Sequence, residues 1–307
     1  MIRMQKLGYA LGSDIALTVV MKDEGKAKEY LEIIWAMIIA FENRFSRFLV
    51  DSELSQFNAH AGIETKVSPA FRKLLLAAQD YSMKTDGLYN PFILPSLNRT
   101  GYIGSWPNIG DYNPLLNYSI KHVHEINKLN IKKSSAIIPV NSALDFGGIG
   151  KGYLLDELSR YLEKSKVDNY WLSLGGDIIA AGHDLESISW KIGIADANDE
   201  EVDIKIIDNK GKKIAIATSG TIKRKGLGWH HIIDPRTGLS ASTDVLTVTV
   251  IANPPAVEGT EADIYAKCLV ILGSEEAEAF AQSKDITAIV QTLVNSGKKA
   301  LHYGKKL

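Results

Sequence analysis

Cysteine is nearly missing from this chain of 307 residues: Cys268 is the single one. One cysteine excludes an internal disulfide and any cysteine-rich metal site. Long apolar runs are also missing, because the longest, from Ile33 to Phe41, is too short to span a membrane. The stretch from Met1 to Tyr9 has neither an apolar core typical of a signal peptide nor a lipid-accepting cysteine, so we expect a cytoplasmic protein.

An excess of either charge is lacking as well. Lysine and arginine number 35 against 36 aspartate and glutamate, which gives a net charge of −1, and no long basic run occurs. Nucleic acid and acidic membranes are therefore not the expected partners. No internal repeat or low-complexity linker divides the chain, whose length allows one large domain or two intimate lobes.

The most informative stretch runs from Leu144 to Asp156. It follows a β-rich run, 136–140, and precedes a helical pattern, and its glycines are Gly147, Gly148, Gly150 and Gly152. Such a loop lets backbone N–H groups approach an anion, and Lys151 adds a positive charge at a helix start. The spacing matches neither a P-loop nor a dinucleotide fingerprint. A tight strand-to-helix turn without a ligand remains the alternative.

The hydrophobic patterns predict an α+β fold. Helices are predicted over 27–45, 52–58, 69–84 and 260–272, and strands over 9–21, 170–174, 178–181, 190–195, 202–207, 213–218, 245–252 and 286–291. Ser68 and Thr260 are predicted helix caps. Gly175 to Asp177 and Asp208 to Gly211 are predicted hairpin turns, and 98–117 is predicted to be a loop.

Two further groups of residues could carry chemistry. His230 and His231 precede Asp234, and neighbouring histidines on a strand point to opposite faces, so at most one faces a given site. Asp263 and Lys267 lie four residues apart on one helix face. They could form a simple helix-stabilising pair, or place a carboxylate and an ammonium in a phosphate or metal site.

Together these stretches resemble the ApbE family, the FAD:protein FMN transferases. The matching residues are Phe45–Phe48, Ser52–Ser55 with Asn58, Thr85–Pro91, Asp145–Tyr153 with Asp156, Leu174–Asp177, Ala217–Gly220, His231–Gly238, and Ala262–Asp263 with Val270–Gly273. Each motif alone is weak, but eight in register over nearly the whole chain are specific.

The resemblance implies a single domain over residues 1–307 with a T-fold-like architecture. It has two intimate lobes, an FAD cleft between them, and the glycine loop near 144–156 at their junction. It also implies a reaction in which a divalent metal, usually Mg²⁺, binds the FAD pyrophosphate. A Thr or Ser hydroxyl of a target flavoprotein attacks the phosphorus on the FMN side, and AMP leaves. The implied partners are FAD and that acceptor flavoprotein.

The resemblance also implies roles for individual residues. The FAD-binding positions are Leu11, Phe48, Leu88, Tyr89, Asn90, Asp145, Lys151, His231 and Ile232. The metal positions are the Gly148 carbonyl and the Asp263 carboxylate. His231 and Asp263 are the predicted catalytic residues, and His231, Asp234 and Asp263 are the candidates for the general base.

Two departures from the family pattern stand out. Lys267 occupies the position of a metal-ligating Thr, and Asn90 stands where Asp is common. An ammonium repels Mg²⁺, although it can neutralise phosphate charge in its place. The alternatives are therefore an FAD-binding or flavin-buffering protein without the metal site, its variant as a slow FAD pyrophosphatase, and a flavin-dependent oxidoreductase. The chain has no NAD(P) fingerprint and no redox cysteine pair to support the last.

Overall fold

The computed structural model describes residues 1–104, 125–252, 258–294 and 297–304. The chain forms two compact units. The first contains residues 1–40, 150–220 and 244–307, and the second contains residues 41–149 and 221–243.

The helices and strands alternate irregularly along the chain. The α-helices are α1 (Glu24–Phe45), α2 (Glu53–Ala59), α3 (Pro69–Lys84), α4 (Leu94–Thr100), α5 (Gly150–Lys164) and α6 (Gly259–Ser283). The strands up to residue 195 are β1 (Ile2–Ala10), β2 (Ser13–Met21), β3 (Thr65–Lys66), β4 (Asn130–Ile131), β5 (Ser135–Ile137), β6 (Tyr170–Leu174), β7 (Asp177–Ala181) and β8 (Lys191–Ala195). The later strands are β9 (Asp203–Asp208), β10 (Ile214–Gly220), β11 (Lys225–Gly226), β12 (Trp229–His230), β13 (Ile233–Asp234), β14 (Leu239–Ser240), β15 (Val245–Ala252), β16 (Thr287–Val294) and β17 (Gly297–Tyr303).

The first unit is built on one antiparallel sheet with strand order β1-β2-β6-β7-β10-β15-β16-β17. Alternate residues of its strands face opposite sides. Ile214 and Ile216 of β10 pack with Trp190, Ile192 and the β8–β9 hairpin. The other side carries α5 and α6, which pack on each other and on β7, β10 and β15. The central strands of the sheet are thus buried between a helical layer and a β-hairpin.

The second unit has an aromatic core. Phe71 of α3 packs edge-on against Phe57 of α2 and against Phe146, at centroid distances of 5.2 and 5.8 Å. Phe45, at the end of α1, packs against Phe71 and Phe146, at centroid distances of 5.7 and 6.3 Å. Two small sheets complete the unit's regular structure, β3-β5-β4 and the β13–β14 pair, together with the β11–β12 hairpin.

Most of the predicted elements are confirmed, as is the α+β class. Ser52 and Ser68 accept hydrogen bonds from Ser55 N and Phe71 N, as N-caps of α2 and α3. The β6–β7 hairpin turns at the predicted glycines. Within the described residues, no helix is long and apolar enough to cross a membrane.

Four predictions about strands, turns and loops are wrong, the last of them only in part. The strand predicted over 9–21 is a hairpin that turns at Leu11 and Gly12, because Leu11 has φ +57°. The strands on either side of Asp208 to Gly211 do not pair with each other, since β9 pairs with β8 and β10 with β7 and β15. The run 136–140 is a strand only to Ile137, because Pro139 has no N–H to donate.

The fourth, the predicted loop over 98–117, is wrong only in its first three residues. Its first residues belong to α4, which ends at Thr100. Residues 105–117 of that prediction lie outside the described residues. The segment from Leu88 to Pro95 contains two prolines, and it forms a short 3₁₀ turn that leads directly into α4.

Candidate functional site

Helix α5 begins at Gly150, within the glycine-rich stretch. Lys151, the second residue of α5, forms an ion pair with Asp177, the first residue of β7. The other Asp177 oxygen accepts a hydrogen bond of 3.1 Å from the backbone N–H of Thr218 in β10. Burial raises the pKa of Asp177, and the Lys151 ammonium opposes that rise. The helix start, β7 and β10 together hold one buried carboxylate and its lysine.

A second carboxylate and lysine lie beside the first pair. The Asp263 side chain, in the second turn of α6, is 1% exposed and forms an ion pair with Lys267 one turn further on. Lys267 Nζ also donates to the Asp263 carbonyl at 3.2 Å. The other Asp263 oxygen accepts the backbone N–H of Gly152 at 3.1 Å. We call Lys151, Asp177, Asp263 and Lys267 the lysine–aspartate cluster.

Gly152 makes this arrangement of α5 and α6 possible. A Cβ atom at Gly152 would lie 2.7 Å from the Asp263 Cβ and still closer to the Gly259 carbonyl oxygen. Real carbon atoms do not approach that closely without a shift of the backbone. The two helix starts can therefore touch only because residue 152 has no side chain.

Asp156 fixes the start of α6 from the neighbouring helix. Its carboxylate accepts the backbone N–H groups of Gly259 at 2.6 Å and Thr260 at 2.9 Å, and the Thr260 hydroxyl at 2.5 Å. The prediction that Thr260 caps the helix is wrong, because Glu258 is the N-cap residue and makes no side-chain cap bond. Burial raises the pKa of Asp156, and the bonds from Thr260 and Gly259 oppose the rise.

Leu11 lies at the same end of the sheet as the lysine–aspartate cluster. β2 begins two residues after it and pairs Ile15 with Leu174, and Leu174 in turn pairs with Asp177. The Gly175 N–H donates to the Asp14 carbonyl at 2.8 Å, which joins the two hairpin turns. Three predicted site residues of the first unit, Leu11, Lys151 and Asp263, thus belong to one end of it.

In the second unit, the predicted FAD-binding residue Asp145 is held by Arg47. Arg47 Nε lies 2.9 Å from one Asp145 oxygen, and the two side chains are 7% and 8% exposed. The other Asp145 oxygen accepts the Gly147 N–H at 2.8 Å, which shapes the glycine turn. The Asp145 N–H donates to the Pro91 carbonyl at 2.8 Å and so attaches the segment that carries Leu88, Tyr89 and Asn90.

The Arg47 guanidinium also lies against two aromatic rings. Its central carbon is 4.2 Å from the Phe48 ring centre and 4.8 Å from that of Tyr102. The Tyr102 ring is in turn 6.3 Å from His231, edge to face. Phe48, Arg47, Tyr102 and His231 therefore form a continuous row, which we call the aromatic row. Phe48 is 38% exposed at its end, so a planar ligand could stack there.

The segment from Leu88 to Asn90 is shaped by local hydrogen bonds. The Tyr89 N–H donates to the Thr85 hydroxyl at 3.1 Å, and Asn90 Oδ1 accepts the Phe92 N–H at 3.0 Å as the cap of the following turn. Asn90 has lost the charge of an aspartate but keeps the oxygen that caps this turn. Tyr89 and Asn90 are both buried.

The vicinal histidines differ in their surroundings. His230 Nε2 lies 3.0 Å from the Ala241 carbonyl, and its Nδ1 accepts the Ile232 N–H at 3.3 Å. Burial lowers the pKa of His230. Both ring nitrogens of His230 therefore serve the loop structure, which leaves His231 as the histidine of the pair that belongs to the aromatic row. Ile232 is buried, and its carbonyl accepts the Ala241 N–H at 2.9 Å.

Asp234 is a poor candidate for the general base. One of its oxygens accepts the backbone N–H and Nε of Arg236 at 2.9 and 3.0 Å, and the other accepts Nε and a terminal nitrogen at 3.1 and 2.9 Å. A carboxylate whose oxygens are all engaged in a turn has little capacity to take a proton from a substrate.

The metal implied by the resemblance can be tested against the donors at Asp263. Both Asp263 oxygens already face donors, and one donor is an ammonium. In the parts of the chain that the structure describes, no three or more His, Cys, Asp or Glu side chains form a group that could hold a metal ion. Mg²⁺ requires near-octahedral oxygen ligands. Unit charges 4 Å apart interact by about 4 kcal/mol at an effective dielectric constant of 20, and a divalent ion doubles the repulsion from an ammonium. The residues at Asp263 therefore do not fit a divalent cation. Gly148 lies in the buried end of the glycine turn, and its role as a ligand remains a prediction.

The sequence motifs contained three important residues whose roles were not recognised. Arg47 stands inside the Phe45–Phe48 motif, and Asp156 and Asp177 stand inside the later ones. Each of them contacts a side chain more than twenty residues away in the sequence. Such a contact leaves no local pattern, so only the fold reveals it. Tyr102 was missed because its surroundings read as a loop.

Known relatives cover most of the chain. An FAD:protein FMN transferase of Klebsiella pneumoniae (strain 342) is 29% identical over 293 residues, which is 92% of this chain and 87% of the relative. The FAD:protein FMN transferase of Escherichia coli (strain K12) is 26% identical over 299 residues, with coverage of 93% and 83%.

Solved structures share the fold. The flavin transferase ApbE from Vibrio cholerae superposes with a TM-score of 0.80 at 24% identity, covering 98% of this chain and 97% of that one. The apo form of the Pseudomonas stutzeri flavinyl transferase ApbE gives a TM-score of 0.84 at 23% identity, with coverage of 98% and 95%. At these identities the likeness establishes the fold.

The family is established by a match of a different kind. The model of the ApbE family matches residues 11–290, which include the lysine–aspartate cluster and the aromatic row. Because this match spans well over half of the sequence, the chain belongs to the ApbE family.

Proposed function

We propose that this protein is an FAD:protein FMN transferase, which moves FMN from FAD to a Thr or Ser hydroxyl of a target flavoprotein. One observation carries the proposal: Lys151 stands in the first turn of α5, directly after the glycine turn, in a chain of the ApbE family. A lysine at a helix N-terminus is well suited to bind phosphate. The relatives from Escherichia coli and Klebsiella pneumoniae carry this activity as their name.

The reaction is a phosphoryl transfer. The acceptor oxygen forms a bond to the phosphorus on the FMN side of FAD, and the bond from that phosphorus to the bridging oxygen breaks. The bridging oxygen leaves with AMP, and the acceptor hydroxyl loses its proton to a base. Catalysis of this kind rests on positioning and on neutralisation of phosphate charge.

We assign the two parts of FAD to different groups of residues. Lys151 neutralises pyrophosphate charge. The aromatic row, from Phe48 to His231, supplies flat surfaces for the ring systems, with Leu11 and Ile232 as apolar contacts. Leu88, Tyr89, Asn90 and Asp145 form a further FAD-contacting surface. Support comes from the Asp145–Pro91 hydrogen bond, which joins two of the predicted segments.

We propose His231 as the general base. Of the three candidates, Asp234 and Asp263 have both oxygens engaged by donors within their own unit. An imidazole also has an ordinary pKa near neutrality, which suits proton transfer. The single-domain arrangement of two intimate lobes, its FAD cleft and the cytoplasmic location remain predictions.

The test is a coupled assay of the two products. The purified chain is given FAD with and without a purified apo-flavoprotein as acceptor, and AMP is measured by chromatography. In parallel it is co-expressed with apo-flavoproteins in a host that lacks its own FMN transferase, and covalent flavin is detected by fluorescence of the denatured acceptor band. Lys151→Met should abolish both signals. Lys164→Met, at the other end of the same helix, is the control and should leave both unchanged.

The outcomes separate the alternatives. FAD that stays bound without AMP or covalent flavin would contradict the transferase and indicate a flavin-binding protein. AMP and free FMN without an acceptor would indicate a pyrophosphatase. A bound flavin that NADH reduces rapidly would indicate an oxidoreductase.

A further inference from the structure

The Lys267 ammonium lies against Asp263, where that carboxylate would otherwise hold a divalent cation. The Asp263–Lys267 ion pair joins residues one turn apart in α6, with side chains 1% and 16% exposed. The remaining Asp263 oxygen accepts the Gly152 N–H. Removal of Lys267 from Asp263 would leave a buried carboxylate without a counter-charge, which is strongly unfavourable.

The second carboxylate of the lysine–aspartate cluster is satisfied in the same way. Asp177 is paired with Lys151 and accepts the Thr218 N–H, so its two oxygens also face a cation and a backbone donor. Each carboxylate of the cluster thus has its own ammonium partner. A divalent ion would have to displace an ammonium from each carboxylate that it coordinates.

A structural role alone explains this pair poorly. Asp80 and Lys84 form an ion pair with the same spacing on α3, and both side chains are 52% exposed, as expected for a pair that supports a solvated helix face. In the Asp263–Lys267 pair the carboxylate is buried and the lysine is mostly covered, with side chains 1% and 16% exposed. A buried ion pair loses hydration on both partners and is weak evidence for a gain in stability. A mostly covered ammonium next to the proposed phosphate-binding helix start has a use that a fully exposed one lacks.

We propose that the Lys267 ammonium supplies the positive charge that a divalent cation would otherwise bring to the FAD pyrophosphate, so that FAD binding and FMN transfer by this chain do not require a divalent metal. The inference rests on the proposed function for its ligand. A lysine is a fixed point charge with three donors and can bind phosphate oxygens directly. Asp263 then orients Lys267, where a metal site would use the same carboxylate as a ligand.

The experiment compares wild type with Lys267→Thr and Lys267→Met. Threonine adds a hydroxyl that can ligate a metal, and methionine removes the charge without adding an oxygen. Lys84→Met removes the matched exposed lysine and is the control. FAD affinity is measured by flavin fluorescence in EDTA and in Mg²⁺, and Mn²⁺ binding is measured without flavin by electron paramagnetic resonance.

Wild type and the control should bind FAD equally in EDTA and in Mg²⁺, and should take up no Mn²⁺. In EDTA, both Lys267 variants should bind FAD about tenfold more weakly, as expected for the loss of a charge-assisted contact. Lys267→Thr should gain Mn²⁺ binding and recover its FAD affinity in Mg²⁺. With an acceptor flavoprotein present, AMP release by wild type should be unaffected by EDTA.

The inference would be overturned if EDTA weakened FAD binding by wild type about tenfold, or if wild type bound Mn²⁺. Either result would make Asp263 a metal ligand despite Lys267. Equal FAD affinity of wild type and Lys267→Met in EDTA would also overturn it. The proposed function fails separately, through the absence of AMP from every protein in every condition. The Mn²⁺ measurement is informative in either case because it needs neither flavin nor turnover.

Discussion

Replacement of Gly152 by alanine should destabilise the first unit, although the same replacement usually stabilises a helix. The added Cβ would lie 2.7 Å from the Asp263 Cβ and nearer still to the Gly259 carbonyl oxygen. Favourable carbon contacts begin at about 3.5 Å, so the starts of α5 and α6 must separate by about 1 Å. That movement strains the Gly152–Asp263 hydrogen bond and the three bonds from α6 to Asp156.

Two opposing contributions set the magnitude. Overpacking of a close contact costs about 1–3 kcal/mol. Alanine in a helix gains about 0.5–1 kcal/mol over glycine. The net effect on the free energy of unfolding is a loss on the order of 1–2 kcal/mol, since the overpacking exceeds the gain in helix propensity.

The assay is urea unfolding followed by far-ultraviolet circular dichroism, with Gly25→Ala as the matched control. Gly25 is the second residue of α1 and is exposed, and a Cβ there meets only Asp23 Oδ1 at 3.4 Å. The control should therefore be as stable as wild type or more so. A Gly152→Ala protein that also matched or exceeded wild type would refute the close approach of the two helix starts.

Two further outcomes test other parts of the molecule. Arg47→Met should lower the free energy of unfolding by about 3–5 kcal/mol, because it leaves the buried Asp145 carboxylate unpaired; adding Asp145→Asn should recover part of that loss, and a purely additive double variant would contradict the pairing. The Asp244 carboxylate, although partly desolvated, accepts the Ser274 N–H at 3.0 Å and the Ser274 hydroxyl, and these bonds hold the pKa of Asp244 below its usual range. Because the folded pKa is lowered, the stability that Asp244 contributes is present above about pH 4 and is lost as the pH falls. Asp244→Asn should therefore be less stable than wild type at pH 7, with a gap that narrows in urea unfolding at pH 3; a gap independent of pH would contradict this.

The sequence was sufficient for elements whose pattern is local. The cap of α3 could be read from Ser68 and Pro69, because a capping hydroxyl followed by proline suits the geometry of a helix start. The β6–β7 hairpin could be read from two glycines between apolar runs. In each case the residues that decide the structure are neighbours in the chain.

The failures share a different cause, since their deciding residues are far apart in sequence. Thr260 was predicted to cap the start of α6. In the structure, Thr260 instead donates to the Asp156 carboxylate on another helix. No local pattern distinguishes a capping threonine from one that is held by a remote carboxylate. The sequence predicted a hairpin of β9 and β10, but β10 pairs with β7 and β15 of the central sheet. The β1 strand was missed because apolar and polar residues alternate only weakly along its sequence. The turn after it was missed because Leu11 adopts a conformation that leucine rarely takes.

The candidate site shows the same division. The family motifs named Lys151, Asp145 and Asp263 as candidates, and the departure at Lys267 was visible in the sequence. Arg47 pairs with Asp145, and Lys267 pairs with Asp263 and does not extend into solvent. Both contacts depend on which side chains are buried together. Burial of a polar group is decided by the whole fold.

The order of strands in the central sheet has a consequence for how the chain folds during synthesis. β2 pairs Ile15 with Leu174, and the intervening chain includes residues 41–149 of the second unit. A ribosome therefore releases the β1–β2 hairpin long before its neighbour β6 exists, and the loop that this pairing closes is very long. Such non-local pairing makes folding slow and leaves the open edge of β2 exposed to other chains in the meantime. We expect the newly made N-terminal hairpin to be the part of this protein that depends most on chaperones.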